Sequence, residues 1–213
     1  DVKMGMKNLQ RYYILYLFLQ KFYAGELNRL DFETWENLIQ SLQQDCMDEE
    51  NETIWQGLRR FVESTSEQQE QLEFAFNSLF VGPGKLLAPP YESAYLNENR
   101  VLMQQETLSV RKFYEQAGLE LICKNHEPDD HIAFELEFVC YLLGQYLQTK
   151  EKEMIQMYHT FLKTHLFRWA GVHCEAIREH SDHPICLGIA DLLDGLIQNG
   201  QTEETMKEGN QNG

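Results

Sequence analysis

An acid-rich segment near the middle of the chain carries the side chains best suited to chemistry. Residues 127–131 read Glu-Pro-Asp-Asp-His, and Glu135 follows His131 at a spacing of one helical turn. Acidic side chains in a first helical turn are stabilised by the helix dipole, and proline fits that turn well. Carboxylates gathered at one helix end can also bind a guanidinium group through paired hydrogen bonds. The segment indicates either an ordinary helix start or a receptor for a cationic ligand, and its candidate residues are Glu127, Asp129, Asp130, His131 and Glu135.

Glu135 falls on the apolar face of the helix predicted after Pro128. A helical wheel places it between Leu142 and Tyr146, with His131 beside it one turn earlier. A buried carboxylate requires a partner, because an isolated buried charge is very unfavourable, and residues four apart on a helix can meet. A His131–Glu135 pair could therefore brace the packing of helices, accept an external arginine, or act as acid and base in a helical hydrolase.

Other signatures of catalysis or metal binding are weak. The sequence contains no Walker loop and no GxGxxG, GxSxG or HExxH motif. No nucleophile or cofactor signature accompanies His131 and Glu135, so we predict a protein that is not an enzyme, without catalytic residues or a cofactor. A carboxyl-terminal set of potential metal ligands matches no strong zinc spacing, so no metal site is predicted. This set comprises His173, Cys174, His180, His183 and Cys186.

A second unusual segment precedes the acidic one by about forty residues. Residues 79–93 form an apolar stretch interrupted by glycine and proline. Its Gly82–Pro90 loop could be only a helix-to-helix connection, although such connections are usually shorter. Such a loop cannot easily be buried, because its backbone groups would lack hydrogen-bond partners. Together the two segments predict a surface for a peptide that is both apolar and basic. The residues predicted from this loop to bind the peptide are Leu79, Phe80, Pro89, Pro90, Tyr91 and Ser93.

The composition restricts the class of partner. The formal net charge is −16, from 18 basic and 34 acidic side chains, which argues against nucleic acid and anionic membranes and favours basic ligands. No apolar run approaches the roughly 18 residues of a membrane span, and no leader is evident, so we expect a cytoplasmic protein without stable membrane insertion. Five scattered cysteines are typical of reduced thiols in that compartment.

Helical periodicity dominates the rest of the chain. We predict an all-α, single globular bundle of about eight or more helices, assigned to residues 1–198, with 199–213 as a polar, disordered tail. Residues 118–128 are the best candidate for a hinge between two helical halves, at which a domain-swapped dimer could open. The predicted helices cover Leu9–Ala24, a stretch beginning at Asp31, Asn51–Val62, a stretch beginning at Ser66, Gln104–Ala117, Pro128–Gln148, Lys152–Trp169 and Pro184–Gln198.

At its two unusual segments the sequence closely resembles the TorD/DmsD family of redox-enzyme maturation chaperones. In that family a Gly-Pro loop leads into Ala-Pro-Pro-Trp and Ser-x-Tyr-Leu, which here read Ala88–Tyr91 and Ser93–Leu96. A Thr-Leu-x-Val-Arg element matches Thr107–Arg111, and the Glu-Pro-x-Asp-His helix start matches Glu127–His131. A His-Leu-x-x-Trp element matches His165–Trp169. The resemblance covers about residues 75–170.

The resemblance implies an all-helical cytoplasmic chaperone that binds the twin-arginine signal peptide of a molybdopterin-containing oxidoreductase. Its partners would be that leader and the apo form of the catalytic subunit, whose cofactor insertion and folding it assists before export. A monomer or a domain-swapped homodimer is expected. Tyr91 departs from the family, whose usual residue there is tryptophan. The alternatives are a nitrate-reductase-type assembly chaperone for a subunit that is not exported, and a helical hydrolase using His131 and Glu135.

Overall fold

Every regular element in the described part of the chain is helical, which confirms the all-α prediction. The structure, a computed structural model, describes residues 2–46, 51–96, 105–120 and 127–211. The α-helices are α1 (Val2–Tyr23), α2 (Phe32–Cys46), α3 (Glu52–Val62), α4 (Ser66–Glu70), α5 (Leu72–Phe76), α6 (Ser93–Leu96), α7 (Gln105–Gln116), α8 (Ile132–Thr149), α9 (Lys152–Phe161), α10 (Phe167–His180) and α11 (Pro184–Gln211). Single π-helical turns at Asn77–Val81 and Leu162–Leu166 extend α5 and join α9 to α10.

Polar side chains fix several helix starts. Asp31 accepts the Thr34 backbone N–H at 2.8 Å before α2, as its sequence position predicts. The sequence pattern places the N-cap of the next helix at Ser66, but Thr65 forms the capping box with Gln68, so the cap lies one residue earlier. Each cap satisfies backbone donors that the first helical turn leaves without partners.

Two helices are longer than their sequence patterns predict. The helix predicted to end at Trp169 continues through the π-helical turn to His180. The last helix was expected to end at Gln198, yet it extends to Gln211. Seven of residues 199–211 are Gln, Glu, Lys or Met, which are good helix formers, and the polarity of the segment alone does not stop a helix.

One hydrophobic core runs through the bundle. Helix α1 packs on α8 and α2, while α11 packs along α3 and α10. At the end of α1, Phe22 and Tyr23 contact Phe80 edge-on, with ring centroids 6.1 and 5.4 Å apart. Buried residues on either side of the predicted hinge, such as Val110 and Ile132, belong to the same core. Positions 121–126 of that hinge, including Cys123, lie outside the described residues, so the hinge stays a prediction.

Glycines allow α3 and α11 to approach closely. A Cβ atom at Gly57 would lie 2.8 Å from the Gly188 carbonyl oxygen and 2.9 Å from the Leu192 backbone nitrogen. Because both neighbours are backbone atoms, no side-chain rotation could relieve the overlap, and the two helices would have to separate.

We expect Gly57→Ala to lower the free energy of unfolding by about 1–3 kcal/mol through overpacking. The matched control is Gly171→Ala within α10, where a Cβ would meet nothing within 4 Å. That variant should be stabilised by roughly 0.5–1 kcal/mol, since alanine is the better helix former. Urea denaturation of both variants measures the difference, and shifts of the same sign would contradict the proposed close packing.

Candidate functional site

An isolated β-bridge joins the two segments that the sequence singles out. Tyr91 and His131 pair in antiparallel fashion. The Ile132 N–H donates to the Pro90 carbonyl at 2.8 Å, and the Glu92 N–H donates to the Asp130 carbonyl at 3.2 Å. The bridge holds the proline loop against the start of α8, so residues about forty positions apart in sequence form one surface.

The accessible part of this surface combines aromatic, proline and acidic side chains. Pro89, Tyr91, Glu127 and His131 are all partly exposed, and we call these four residues the Tyr91 patch. The Tyr91 and His131 rings meet edge-to-face, 5.1 Å apart at 82°. The Tyr91 hydroxyl donates a hydrogen bond to the Glu127 carboxylate. The patch therefore offers an apolar platform beside a negative charge.

The other residues predicted to bind the peptide lie beneath this surface. Leu79 and Phe80 belong to the hydrophobic core, with 1% and 4% of their surface exposed. Phe80 also stacks near the His173 ring, at 5.7 Å. The remaining buried positions are Pro90, Ser93, Asp129, Asp130 and Glu135. A direct contact between these side chains and a ligand stays a prediction.

Two of the predicted carboxylates have partners within the chain. Asp129 forms a bidentate ion pair with Arg111, at 2.7 and 2.8 Å. Asp130 is fully buried and accepts the Ser93 backbone N–H and the Thr107 hydroxyl, both at 2.8 Å. These contacts fasten α6 and α7 to the start of α8. They also supply the ion pair and the hydrogen bonds that buried carboxylates require.

A cavity of about 280 Å³ opens beside the Arg111–Asp129 pair. Glu115, Gly118 and Leu119 also line it. A cationic ligand in this cavity would have to compete with Arg111 for the Asp129 carboxylate, whose geometry is already that of a strong bidentate pair. The Tyr91 patch is therefore the better candidate for binding a basic peptide.

Glu135 takes part in a buried polar cluster with Glu92, His165 and Trp169. The Trp169 indole N–H donates to Glu135 at 3.3 Å, and the His165 Nδ1 lies 2.8 Å from a Glu92 carboxylate oxygen. Burial, and then the Glu92 carboxylate, raise the pKa of Glu135 well above its usual value. Glu135 therefore favours its neutral form, which a buried and closely spaced pair of carboxyl groups requires.

The predicted pairing of His131 with Glu135 does not form. His131 is the N-cap of α8, and its Nδ1 accepts the Ala133 backbone N–H at 3.0 Å. An N-cap has extended rather than helical backbone angles, so the helical wheel does not apply to it. Burial also lowers the pKa of His131, although Glu127 and Asp130 oppose that shift. A neutral capping imidazole and a separate neutral acid do not constitute an acid–base pair.

Replacing Glu135 by glutamine is expected to flatten the dependence of stability on pH. Because the pKa of Glu135 is raised in the folded chain, its proton contributes stability that is fully present below the unfolded value of 4.5. That contribution is lost as the pH rises through the folded value. Glu135→Gln has no such proton to lose, so its urea midpoint should fall less between acidic and alkaline pH. Exposed Glu137→Gln on the same helix is the control, and wild-type behaviour of Glu135→Gln would contradict the assignment.

The histidines and cysteines near the carboxyl terminus contact other side chains of the protein and do not cluster as metal ligands in the part of the chain that the structure describes. His173 lies between two tyrosine hydroxyls, 2.9 Å from that of Tyr23 and 3.0 Å from that of Tyr95. Within the residues that the structure describes, no group of three or more potential ligands could hold a metal ion. The cysteines there are free thiols. None of the helices in the described ranges combines the length and apolar character that a membrane crossing requires.

Several residues that support the site were not assigned a role from the sequence. Arg111, His165 and Trp169 occur in the motifs that carry the family resemblance, but nothing in their spacing identifies Asp129, Glu92 and Glu135 as their partners. The available signal was the requirement that each predicted buried carboxylate must have a hydrogen-bond donor elsewhere in the chain.

The fold and the site define a helical protein with an aromatic and acidic surface that is supported by a buried polar network. The sequence model of the family described as "Nitrate reductase delta subunit" matches residues 44–175. The chain belongs to this family.

Curated relatives confirm the resemblance to TorD and DmsD chaperones. A Tat proofreading chaperone DmsD from Salmonella typhimurium is 28% identical over 58% of this chain and 57% of its own length. A chaperone protein TorD from Vibrio parahaemolyticus is 26% identical over 84% of this chain and 87% of its own. The chain thus spans little more than half the length of the DmsD relative. A solved structure from Archaeoglobus fulgidus, described provisionally as a redox enzyme maturation protein, is 16% identical with a TM-score of 0.47, covering 88% of this chain and 91% of its own.

Proposed function

We propose that this protein is a cytoplasmic chaperone that binds the twin-arginine signal peptide of a molybdopterin-containing oxidoreductase. It holds the apo catalytic subunit back from export and assists its cofactor insertion and folding. The observation that carries the proposal is the Tyr91 patch, in which a fixed aromatic ring and the Glu127 carboxylate lie together on an accessible surface. Relatives named as Tat proofreading and TorD chaperones support the same function.

The chemistry of the patch fits the two parts of such a leader. Its arginines require a carboxylate, since a guanidinium and a carboxylate form two parallel hydrogen bonds. Its apolar segment requires a surface such as Pro89 and the Tyr91 ring, which offer contact area with little loss of conformational entropy. The net charge of −16 adds long-range attraction for a basic peptide.

The site supports binding rather than catalysis. His131 caps a helix, and Glu135 is buried with Trp169 as its hydrogen-bond donor. Although His131 belongs to the Tyr91 patch, Glu135 is fully buried and out of reach of a substrate there, so the two side chains cannot work together as the acid and base of a hydrolase. The hydrolase alternative is therefore not favoured.

Isothermal titration with a twin-arginine leader peptide tests the proposal. We expect binding that weakens as the salt concentration rises, because exposed charge pairs are screened. A leader whose arginine pair is replaced by lysine is the control and should bind more weakly. Absence of binding at low salt, or equal binding of both peptides, would contradict the proposal. Co-purification from the native cell identifies the client.

The family description favours one second candidate, an assembly chaperone for a nitrate reductase subunit that is not exported. This function requires recognition of the folded or partly folded subunit, whereas the first requires recognition of the leader. A pull-down with the apo catalytic subunit, prepared with and without its leader, separates them. Capture that does not depend on the leader would select the second candidate.

Tyr91→Ala is expected to weaken leader binding by about 2 kcal/mol or more, as removal of an aromatic anchor often does. The loss of stability should be smaller than the roughly 3–5 kcal/mol typical of a buried aromatic residue, because Tyr91 is only partly buried. Paired titration and melting curves measure both effects. A large decrease in melting temperature with unchanged affinity would exclude Tyr91 from the binding surface.

A further inference from the structure

Tyr91 is held in place through both its backbone and its ring. Proline residues at positions 89 and 90 restrict the chain before it, and the β-bridge to His131 fixes the residue itself. The ring packs at 82° against the His131 ring, 5.1 Å away. Because the backbone and the ring are both fixed, the fold also sets the position of the phenolic hydroxyl.

The hydroxyl is used to hold Glu127. Tyr91 Oη donates to Glu127 Oε1, and burial together with Glu127 raises the pKa of Tyr91, which keeps the hydroxyl a donor. A carboxylate has about four acceptor positions on its two oxygens. One bond from Tyr91 therefore orients the Glu127 carboxylate and leaves it able to accept two parallel bonds from a ligand.

Glu127 differs in this respect from the other predicted carboxylates. Asp129 is paired with Arg111, Asp130 accepts hydrogen bonds from Ser93 and Thr107, and Glu135 accepts one from Trp169. These three carboxyl groups are buried, whereas Glu127 is partly exposed. An incoming cation at the patch therefore meets Glu127 first.

We propose that Tyr91 makes the patch selective for arginine over lysine by orienting the Glu127 carboxylate for a bidentate contact with a guanidinium. The inference rests on the proposed function, in which a basic leader binds at this patch. A guanidinium is a planar fork whose two hydrogen bonds require a carboxylate in a fixed orientation, whereas an ammonium is a compact charge that tolerates many orientations. Loosening Glu127 should therefore weaken arginine binding more than lysine binding.

The phenolic oxygen is the part of Tyr91 that carries the proposal, because it is the atom bonded to Glu127. The Tyr91 ring can additionally pack against a guanidinium plane. Tyr91 is thus a positioning residue that acts through Glu127.

The test uses two synthetic peptides in which an Arg-Arg or a Lys-Lys pair precedes a leucine- and alanine-rich segment. Binding of each is measured by titration to the full chain and to Tyr91→Phe, Glu127→Gln and the double variant. Tyr141→Phe, which removes a hydroxyl from a partly buried tyrosine on α8, is the matched control. Melting temperatures confirm that each variant is folded.

We expect Tyr91→Phe to weaken Arg-Arg binding on the order of tenfold, as loss of a hydrogen bond to a charged group does, and to weaken Lys-Lys binding much less. In the Glu127→Gln background the same change should have little further effect, since both residues act as one unit. An unchanged ratio of the two affinities in Tyr91→Phe, or strictly additive effects in the double variant, would overturn the inference while leaving the proposed function intact. Failure of the unaltered chain to bind either peptide would instead refute the proposed function, and the inference with it.

Discussion

Replacing Trp169 by alanine is expected to lower the free energy of unfolding by about 3–5 kcal/mol. The side chain is fully buried and stacks on Tyr95 at a centroid distance of 5.5 Å. Its indole N–H is also a hydrogen-bond donor to Glu135. Truncation would leave a large cavity and remove the hydrogen bond from a buried acid, and these two costs act in the same direction.

Two further variants separate the two contributions of Trp169. Trp169→Phe keeps an aromatic ring but removes the donor, so it should lose less than the alanine variant. Trp55→Ala on α3 removes a partly exposed tryptophan and should cost clearly less than Trp169→Ala. Urea denaturation gives all three values, and a loss at Trp169 no larger than that at Trp55 would contradict the burial described here.

Asp130→Ala is expected to destabilise the fold by about 3 kcal/mol. The variant leaves two buried donors, the Ser93 N–H and the Thr107 hydroxyl, without their acceptor, and each unsatisfied donor costs about 1–3 kcal/mol. Asp130→Asn retains one acceptor oxygen and should lose less. The exposed Asp182→Ala serves as the control and should change stability by less than about 0.5 kcal/mol.

Thermal or chemical unfolding measures these effects. If Asp130→Ala were as stable as the Asp182 control, the carboxylate would not be fastening α6 and α7 to α8. The Asp130 prediction also distinguishes the two interpretations of the acidic segment, because a side chain whose main role is to bind a ligand can usually be removed without loss of stability.

The helices were predictable from local patterns, and so was the burial of one face of α8. Glu135, placed on the apolar face by its spacing, is indeed fully buried. Its partner could not be predicted, because Trp169 lies 34 residues away in sequence and reaches Glu135 only in the folded chain. The same limit applies to the β-bridge, which depends on a tertiary approach that neither segment encodes alone.

Exposure near the proline loop was harder to predict than helicity. Leu79 and Phe80, which the sequence predicts to contact a peptide, are core residues. Phe80 packs against Phe22 and Tyr23 of α1, and Phe76 packs against Phe22. On the same stretch of chain Phe74 and Val81 are 79% and 61% exposed. Composition identifies an apolar segment, whereas the phase of the helix decides which of its side chains reach the surface.

Because the β-bridge between Tyr91 and His131 forms only in the folded chain, binding of a ligand at the patch depends on folding. The patch consists of residues from two distant parts of the chain, so an unfolded chain does not contain it and a ligand of the patch binds the folded form alone. Such a ligand stabilises the protein by mass action, by about 2.7 kcal/mol when present at one hundred times its dissociation constant. Candidate leader peptides could therefore be ranked by their effect on the melting temperature of the unlabelled protein, before any client of the proposed function has been purified.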